Sequence, residues 1–171
     1  MSNDVTIIEK EARHALAISD IVGTMKLGKV MRPAYEEIMA AINEQGIDLA
    51  PEDVPFTLYR NIDWDSFDKK GVLATIKVMF FHKWDIQMGI PCPESAKASG
   101  RIASLTLDAG KFIRAIHKGP YMKVGDAYNK IKAFVKQENL NLKDYSVEFY
   151  LNNPREVAET DIETEVLVPV G

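Results

Sequence analysis

The stretch AYEEIMAAINEQGIDL, residues 34–49, lies over AYNKIKAFVKQENLNL, residues 127–142, with Ala-Tyr, an isoleucine three residues on and a closing apolar pair in register. After a slip of two residues, FTLYR (56–60) lies over VEFYL (147–151), so that Tyr59 matches Tyr150 and Thr57 matches Glu148. Further on, DIQMGIPC (85–92) lies over ETEVLVPV (163–170), matching Gln87 with Glu165 and Pro91 with Pro169. Elements repeated in the same order constrain the fold more than any single motif. Each small unit has an apolar face that it cannot bury alone, so the two copies must share a core.

Hydrophobic periodicity supplies the elements of the unit. Continuous or alternating apolar runs predict strands near 5–18, 55–61, 71–81, 84–91, 111–118, 146–152 and 163–170. Ala34, Tyr35, Ile38, Met39 and Ile42 recur at helical spacing after Pro33, which suits a first helical turn, and Gly46 suits the end. Ala127, Tyr128, Ile131, Phe134 and Val135 repeat that rhythm behind Asp126, a predicted N-cap. Residues 93–109, rich in small and polar side chains, read as a connector. The expected class is therefore α+β: a tandem duplication of a β-α-β-β unit, with antiparallel sheets and one helix each. It forms one domain over 1–171, with repeats at 1–92 and 110–171, and Asp68-Lys69-Lys70-Gly71 opens an extra strand in the first.

Composition and motifs exclude several functions. With 46% hydrophobic and 27% charged residues the chain can bury a core, and a net charge of −4 without basic clusters argues against nucleic-acid binding. No stretch approaches the roughly 18 apolar residues of a membrane span, and no secretory leader opens the chain, so a cytoplasmic location is expected. One cysteine, Cys92, excludes intramolecular disulfides and Cys-cluster metal sites. His14, His82 and His117 lack metal-ligand spacing, and no G-x-S-x-G elbow is present. GTMKLGKV (23–30) nearly spells a phosphate loop but ends in Val30, which offers Mg²⁺ no hydroxyl. Neither metal nor cofactor is expected.

Strand alternation singles out Glu148. Val147, Phe149 and Leu151 form one face of their strand, expected to cover the helix, whereas Glu148 and Tyr150 form the other. The repeat puts Thr57 and Tyr59 at the equivalent places, and Gln87 and Glu165 alternate with apolar neighbours in the last strands. If the two units meet across a groove, Thr57, Tyr59, Gln87, Glu148, Tyr150 and Glu165 line it. Two carboxylates and two phenols on one concave surface suit a cation, which aromatic faces attract and a carboxylate neutralises. Trp64 and Trp84 can close such a cleft, and Tyr121 joins the candidate lining. The bland alternative for Glu148 and Glu165 is the solvated face of an open sheet.

HKGPYMKVGDAYNKIKAFV followed by VEFYLNNP and ETEVLVPV, with PFTLYR and WDIQMGIP in the first half, resembles the GyrI-like, or AraC-type effector-binding, superfamily. The resemblance covers most of the chain and implies two strand-helix-strand-strand units flanking a small-molecule cleft. It further implies a buried glutamate, here Glu148, that holds lipophilic cations among aromatic side chains. Other members are hydrolases of cyclopropane-type toxins, for which Glu148 would be the general base, with Tyr59 or Tyr150 bonding the developing anion. Still others protect gyrase. Binding, hydrolysis and a protein partner, whether gyrase or a separate DNA-reading regulator, all follow from the resemblance, with a stand-alone binding protein expected first.

Overall fold

In a computed structural model, which describes residues 4–67, 77–78 and 81–171, eight antiparallel strands form one continuous sheet. In chain order they are β1 (Val5–Lys10), β2 (Arg13–Gly23), β3 (Phe56–Arg60), β4 (Lys83–Pro91), β5 (Ala103–Leu107), β6 (Gly110–Lys118), β7 (Ser146–Tyr150) and β8 (Glu163–Pro169). Helix α1 (Leu27–Glu44) follows β2, the short α2 (Trp64–Phe67) follows β3, and α3 (Gly125–Glu138) follows β6. The order across the sheet is β1-β6-β8-β7-β3-β4-β2-β5, so the two halves join where β3 pairs with β7.

The run expected as one strand over 5–18 is broken by Glu11 and Ala12, and the two pieces go to opposite ends of the sheet. β1 pairs with β6 of the second unit, and β5, inside the segment expected as a connector, pairs with β2 of the first. The second repeat thus begins before 110: Lys10 is equivalent to Leu107 and Arg13 to Gly110, each 97 residues apart. In a flat sheet β1 and β2 would lie about 29 Å apart, six strand spacings. A connector of two residues reaches only about 11 Å. The sheet must therefore curl until its edges meet.

The curl gives the sheet two different faces. Leu16, Ile18, Ile86, Met88 and Ile90 pack with Ala34, Ile38 and Ile42 of α1, and Ile113, Ala115, Val166 and Val168 pack with Ala127 and Ile131 of α3. The opposite, inner face buries Ala15, Phe56, Leu58, Phe112, Val147, Phe149 and Leu167 against one another. Val147, Phe149 and Leu151 therefore belong to the inner face, not to the helix side as expected. The premise that an apolar strand face needs a helix fails because a curled sheet covers its own concave side.

Two helix boundaries also differ. α1 begins at Leu27, leaving Pro33 inside it rather than in its first turn, and its 18 residues exceed the 14 of α3 by one turn. α3 begins at Gly125 with no side-chain cap, so Asp126 sits in the first turn, where its charge complements the helix N-terminus. Most of the strand expected over 71–81 lies outside the described residues, but Lys77, Val78 and Phe81 are helical.

One close contact fixes the inner face. A Cβ at Gly89 would stand 2.5 Å from Phe56 Cζ and 2.9 Å from the Leu16 carbonyl oxygen, which is backbone and cannot swing away. Gly89→Ala is expected to cost about 2 kcal/mol, read as a lower urea midpoint at unchanged m-value. A wild-type midpoint in that variant would contradict the contact.

Candidate functional site

The β3–β7 pairing places the repeat's symmetry axis. Thr57 pairs with Glu148, its own repeat mate, while Phe56 pairs with Phe149 and Leu58 with Val147. Antiparallel strands related by a two-fold axis pair in this way, so Thr57 and Glu148 face each other across the axis. Both point to the helix side. Thr57 is fully buried and Glu148 is 6% exposed.

Tyrosines surround this pair with the same symmetry. From α1, Tyr35 places its hydroxyl 2.6 Å from Thr57 Oγ1 and donates to the Phe56 carbonyl oxygen at 2.9 Å. From α3, the equivalent Tyr128 donates to Glu148 Oε1 at 2.8 Å and lies 3.0 Å from Ser146 Oγ. The strand tyrosines reach across the axis: Tyr150 donates to Thr57 Oγ1 at 2.9 Å, and the hydroxyl of its mate Tyr59 acts on the charge of Glu148. Tyr150 also lies 3.3 Å from Glu148 Oε2, but its one proton serves one acceptor at a time, and the shorter contact is to Thr57.

Further rings extend the cage. Tyr121, 38% exposed, meets Tyr150 edge-on with centroids 5.5 Å apart. Trp84 meets Tyr59 at the same separation, and its indole N–H donates to Thr24 Oγ1. Trp64 lies 6.2 Å from Tyr128, with its N–H on the Lys143 carbonyl oxygen. Thr164, beside Tyr150 in the β7–β8 register, is fully buried, and its hydroxyl has no partner among the described residues.

Burial dominates the electrostatics. It pushes the Glu148 carboxyl up to about 7, against the opposing hydrogen bond of Tyr128 and the nearby hydroxyls of Tyr150 and Tyr59, and no cation contributes to holding the charge. Burial also raises Tyr59, Tyr128 and Tyr150 well above the ordinary phenol range, and the negative charge of Glu148 adds to it, so all three remain donors at neutral pH. Tyr128→Phe is expected to raise the Glu148 pKa by about one unit, since a hydrogen bond to an ionised group is worth more than one to its neutral form. Carbon-13 NMR titration of the Glu148 carboxyl measures it, and an unmoved midpoint would contradict the Tyr128 contact.

The expected lining is thus divided between the two faces. Glu148, Tyr150, Tyr59, Thr57, Tyr121, Trp84 and Trp64 gather on the helix side, but Glu165 and Gln87 do not. Glu165 pairs with Phe149 and Gln87 with Leu58, which puts both on the inner face. There Glu165 is engaged by Arg114 and Lys10. Alternation separates the faces within each strand, but only register says which faces coincide. Tyr35, Tyr128 and Ser146 escaped the sequence reading because both tyrosines were counted as the apolar stripe of their helices. Their recurrence at matching repeat positions was the available signal.

Other chemistry finds little support among the described residues. No group of three or more His, Cys, Asp or Glu is arranged to hold a metal ion, and no helix is long and apolar enough to cross a membrane. Cys92 Sγ comes within 3.7 Å of His14 Nδ1, a neighbour invisible in sequence, but burial pushes its thiol up, away from the reactive thiolate. His117 is a strand-end histidine 2.9 Å from the Pro120 carbonyl oxygen.

No curated protein matches the chain. Among solved structures it is similar to the C-terminal domain of EcmrR, with a TM-score of 0.77 and 22% identity over 98% of this chain and 96% of that one. Against EcmrR in its complex with DNA the TM-score is 0.76 at 23% identity, over 97% of this chain but 56% of that one, so the chain spans little more than half of that protein. SAV2435 bound to tetraphenylphosphonium matches with a TM-score of 0.65 and 14% identity, over 98% and 93% of the two chains. A hydrolase from Listeria innocua matches at 0.67 and 11%, over 98% and 91%. At these identities the likeness is one of fold. The sequence profile of the GyrI-like small molecule binding domain, however, matches residues 3–171, and with it the chain belongs to the GyrI-like family.

Proposed function

We propose that the tyrosine cage binds a lipophilic, aromatic cation, with Glu148 as its counter-charge. The observation that carries this is a buried carboxyl, 6% exposed and raised to about 7, with phenols for neighbours and no cation among the forces on it. An ionised carboxylate in that position lacks the counter-ion that its burial calls for. Aromatic faces attract a cation by about 0.5–2 kcal/mol each, and Tyr59, Tyr150, Tyr121 and Trp84 supply four rings around one charge. The binding of tetraphenylphosphonium by SAV2435, a protein of the same fold, agrees with this ligand class. EcmrR engages DNA as a longer chain, which makes sensing one use for such capture.

Calorimetric titration with tetraphenylphosphonium and with the neutral triphenylphosphine oxide tests the charge requirement. The cation is expected to bind at least tenfold more tightly. Equal affinities, or no heat with either, would remove Glu148 from the centre of the site.

A carboxyl with a pKa of about 7 is also matched to accepting a proton at neutral pH, which favours hydrolysis as a second reading, with Glu148 activating water. Chromatography of the protein mixed with strained electrophiles separates the two. Product that forms with wild type and vanishes in Glu148→Gln supports catalysis, and ligand recovered intact supports capture.

A further inference from the structure

The inner face of the sheet holds a cavity of about 270 Å³ beside the β1–β2 and β5–β6 crossings. Its floor includes Leu58, Phe112, Val147, Phe149 and Leu167. Along β7 these floor residues alternate with Glu148 and Tyr150 of the cage, so the thickness of one sheet separates the two sites.

Six charged residues stand at the rim of this cavity. Each of its bases faces a carboxylate from outside it: Arg13 pairs with Asp53, Arg60 with Asp85 at 2.7 Å, and Lys10 with Glu165 at 3.8 Å, a carboxylate it shares with Arg114. Its acids, Glu11, Asp108 and Asp144, are exposed and enter no ion pair among the described residues. Tyr145 lines the cavity with Asp108 and Asp144, and the negative charge of both bears on its phenol, so an aromatic ring stands with two carboxylates at one end of an apolar floor.

The internal repeat supplies a comparison within the same molecule. Across the axis lies a partly equivalent cavity of about 240 Å³, whose lining includes Val54, Phe149, Leu151 and Glu165 together with Lys10 and Arg13, which line the first cavity as well. The first four positions are equivalent to Tyr145, Leu58, Arg60 and Gln87 of the first cavity. There the aspartate equivalent to Asp144 is Asp53, and the guanidinium of Arg13 holds it. The residue equivalent to Arg13 is Gly110, which has no side chain and a φ of 151°. Asp144 therefore keeps the place of the aspartate in the pair, while the position equivalent to Arg13 supplies it with no cation.

We propose that this cavity is a second ligand site, for an amine or guanidine on an apolar body. The cationic head takes, at Asp144 and Asp108, the place that Arg13 fills beside Asp53, and the body lies over Leu58, Val147 and Phe149. Charge complementarity selects this class over fatty acids and other anions, which Asp108 and Asp144 repel.

The experiment uses Glu148→Gln protein, so that the cage lacks its charge, and titrates it with 4-phenylbutylammonium, 4-phenylbutanol and 4-phenylbutyrate. Methyl NMR follows Leu58, Val147 and Leu167. Saturable shifts of these methyls are expected with the amine, weaker by about tenfold or more with the alcohol and absent with the acid. The same loss is expected when Asp144→Asn and Asp108→Asn are added, both at exposed positions where folding is unaffected. No saturation with the amine overturns the proposal. So does equal binding of amine and alcohol, or an unchanged affinity in the double variant. Shifts confined to the helix-side methyls of Ile86 and Val166, which pair with Tyr59 and Glu148 of the cage, also overturn it, while leaving the cage proposal intact.

Discussion

Glu148→Gln is expected to weaken tetraphenylphosphonium binding by at least about 100-fold, because removing one partner of a buried ion pair costs about 3–5 kcal/mol. The substitution preserves shape and keeps an acceptor for Tyr128, so the cage stays assembled and the loss is electrostatic. Calorimetry of the variant with tetraphenylphosphonium and with triphenylphosphine oxide gives the comparison. Cation affinity should fall to that of the neutral compound, whose own affinity changes little. A variant that binds the cation within a few-fold of wild type would move the counter-charge to another residue.

The second large effect is on pH. Glu148 has a folded pKa of about 7 against an ordinary 4.5, so between these values the native state binds a proton that the unfolded chain releases. The stability contributed by its protonation is complete below 4.5 and is lost as the pH rises through 7, a fall on the order of 3 kcal/mol from this group. Ligand affinity runs the opposite way. The cation binds the ionised form, so its affinity rises about tenfold per unit up to pH 7 and levels above it, with one proton released on binding. Urea melts of wild type and Glu148→Gln at pH 5 and 8 check the first statement. The variant should be the more stable of the two at pH 8 only. Titrations in buffers of different ionisation enthalpy count the proton. Parallel melts at both pH values, or no proton released, would contradict the burial of an uncompensated charge.

Much of this architecture was legible because duplication writes itself twice. The matched helices, the Tyr59/Tyr150 pair and the Thr57/Glu148 pair were all readable from the chain, and the structure puts the last of these on the axis. What the chain hid was long-range pairing. Nothing at Glu11-Ala12 resembles a turn, yet β1 and β2 part there and cross the open side of the sheet. With the curl unseen, the inner apolar face looked like a helix-packing surface, and Glu165 and Gln87 looked like companions of Glu148. The repeat also runs further than alignment of the helices suggested. Thr24-Met25-Lys26-Leu27-Gly28 matches Tyr121-Met122-Lys123-Val124-Gly125 at the same 97-residue offset as Lys10 and Leu107. Gly28, the second glycine of the stretch that imitates a phosphate loop, belongs to this duplicated turn at the entrance of α1, whereas Lys29 beside it falls opposite Asp126.

The pairing of Thr57 with Glu148 has a consequence for how such a site can arise. In an assembly of two identical chains, any residue on the two-fold axis is confronted by itself. A glutamate there would meet a second glutamate about 5 Å away. Two buried carboxyls at that distance cannot both ionise, and they would share one proton between them instead of presenting a clean negative charge. Fusing the two units into one polypeptide removes that restriction. One copy keeps the acid and the other becomes its uncharged neighbour, so a symmetric scaffold acquires a single charge at its centre. Covalent duplication is in this sense a chemical requirement of the site, as well as a record of its origin.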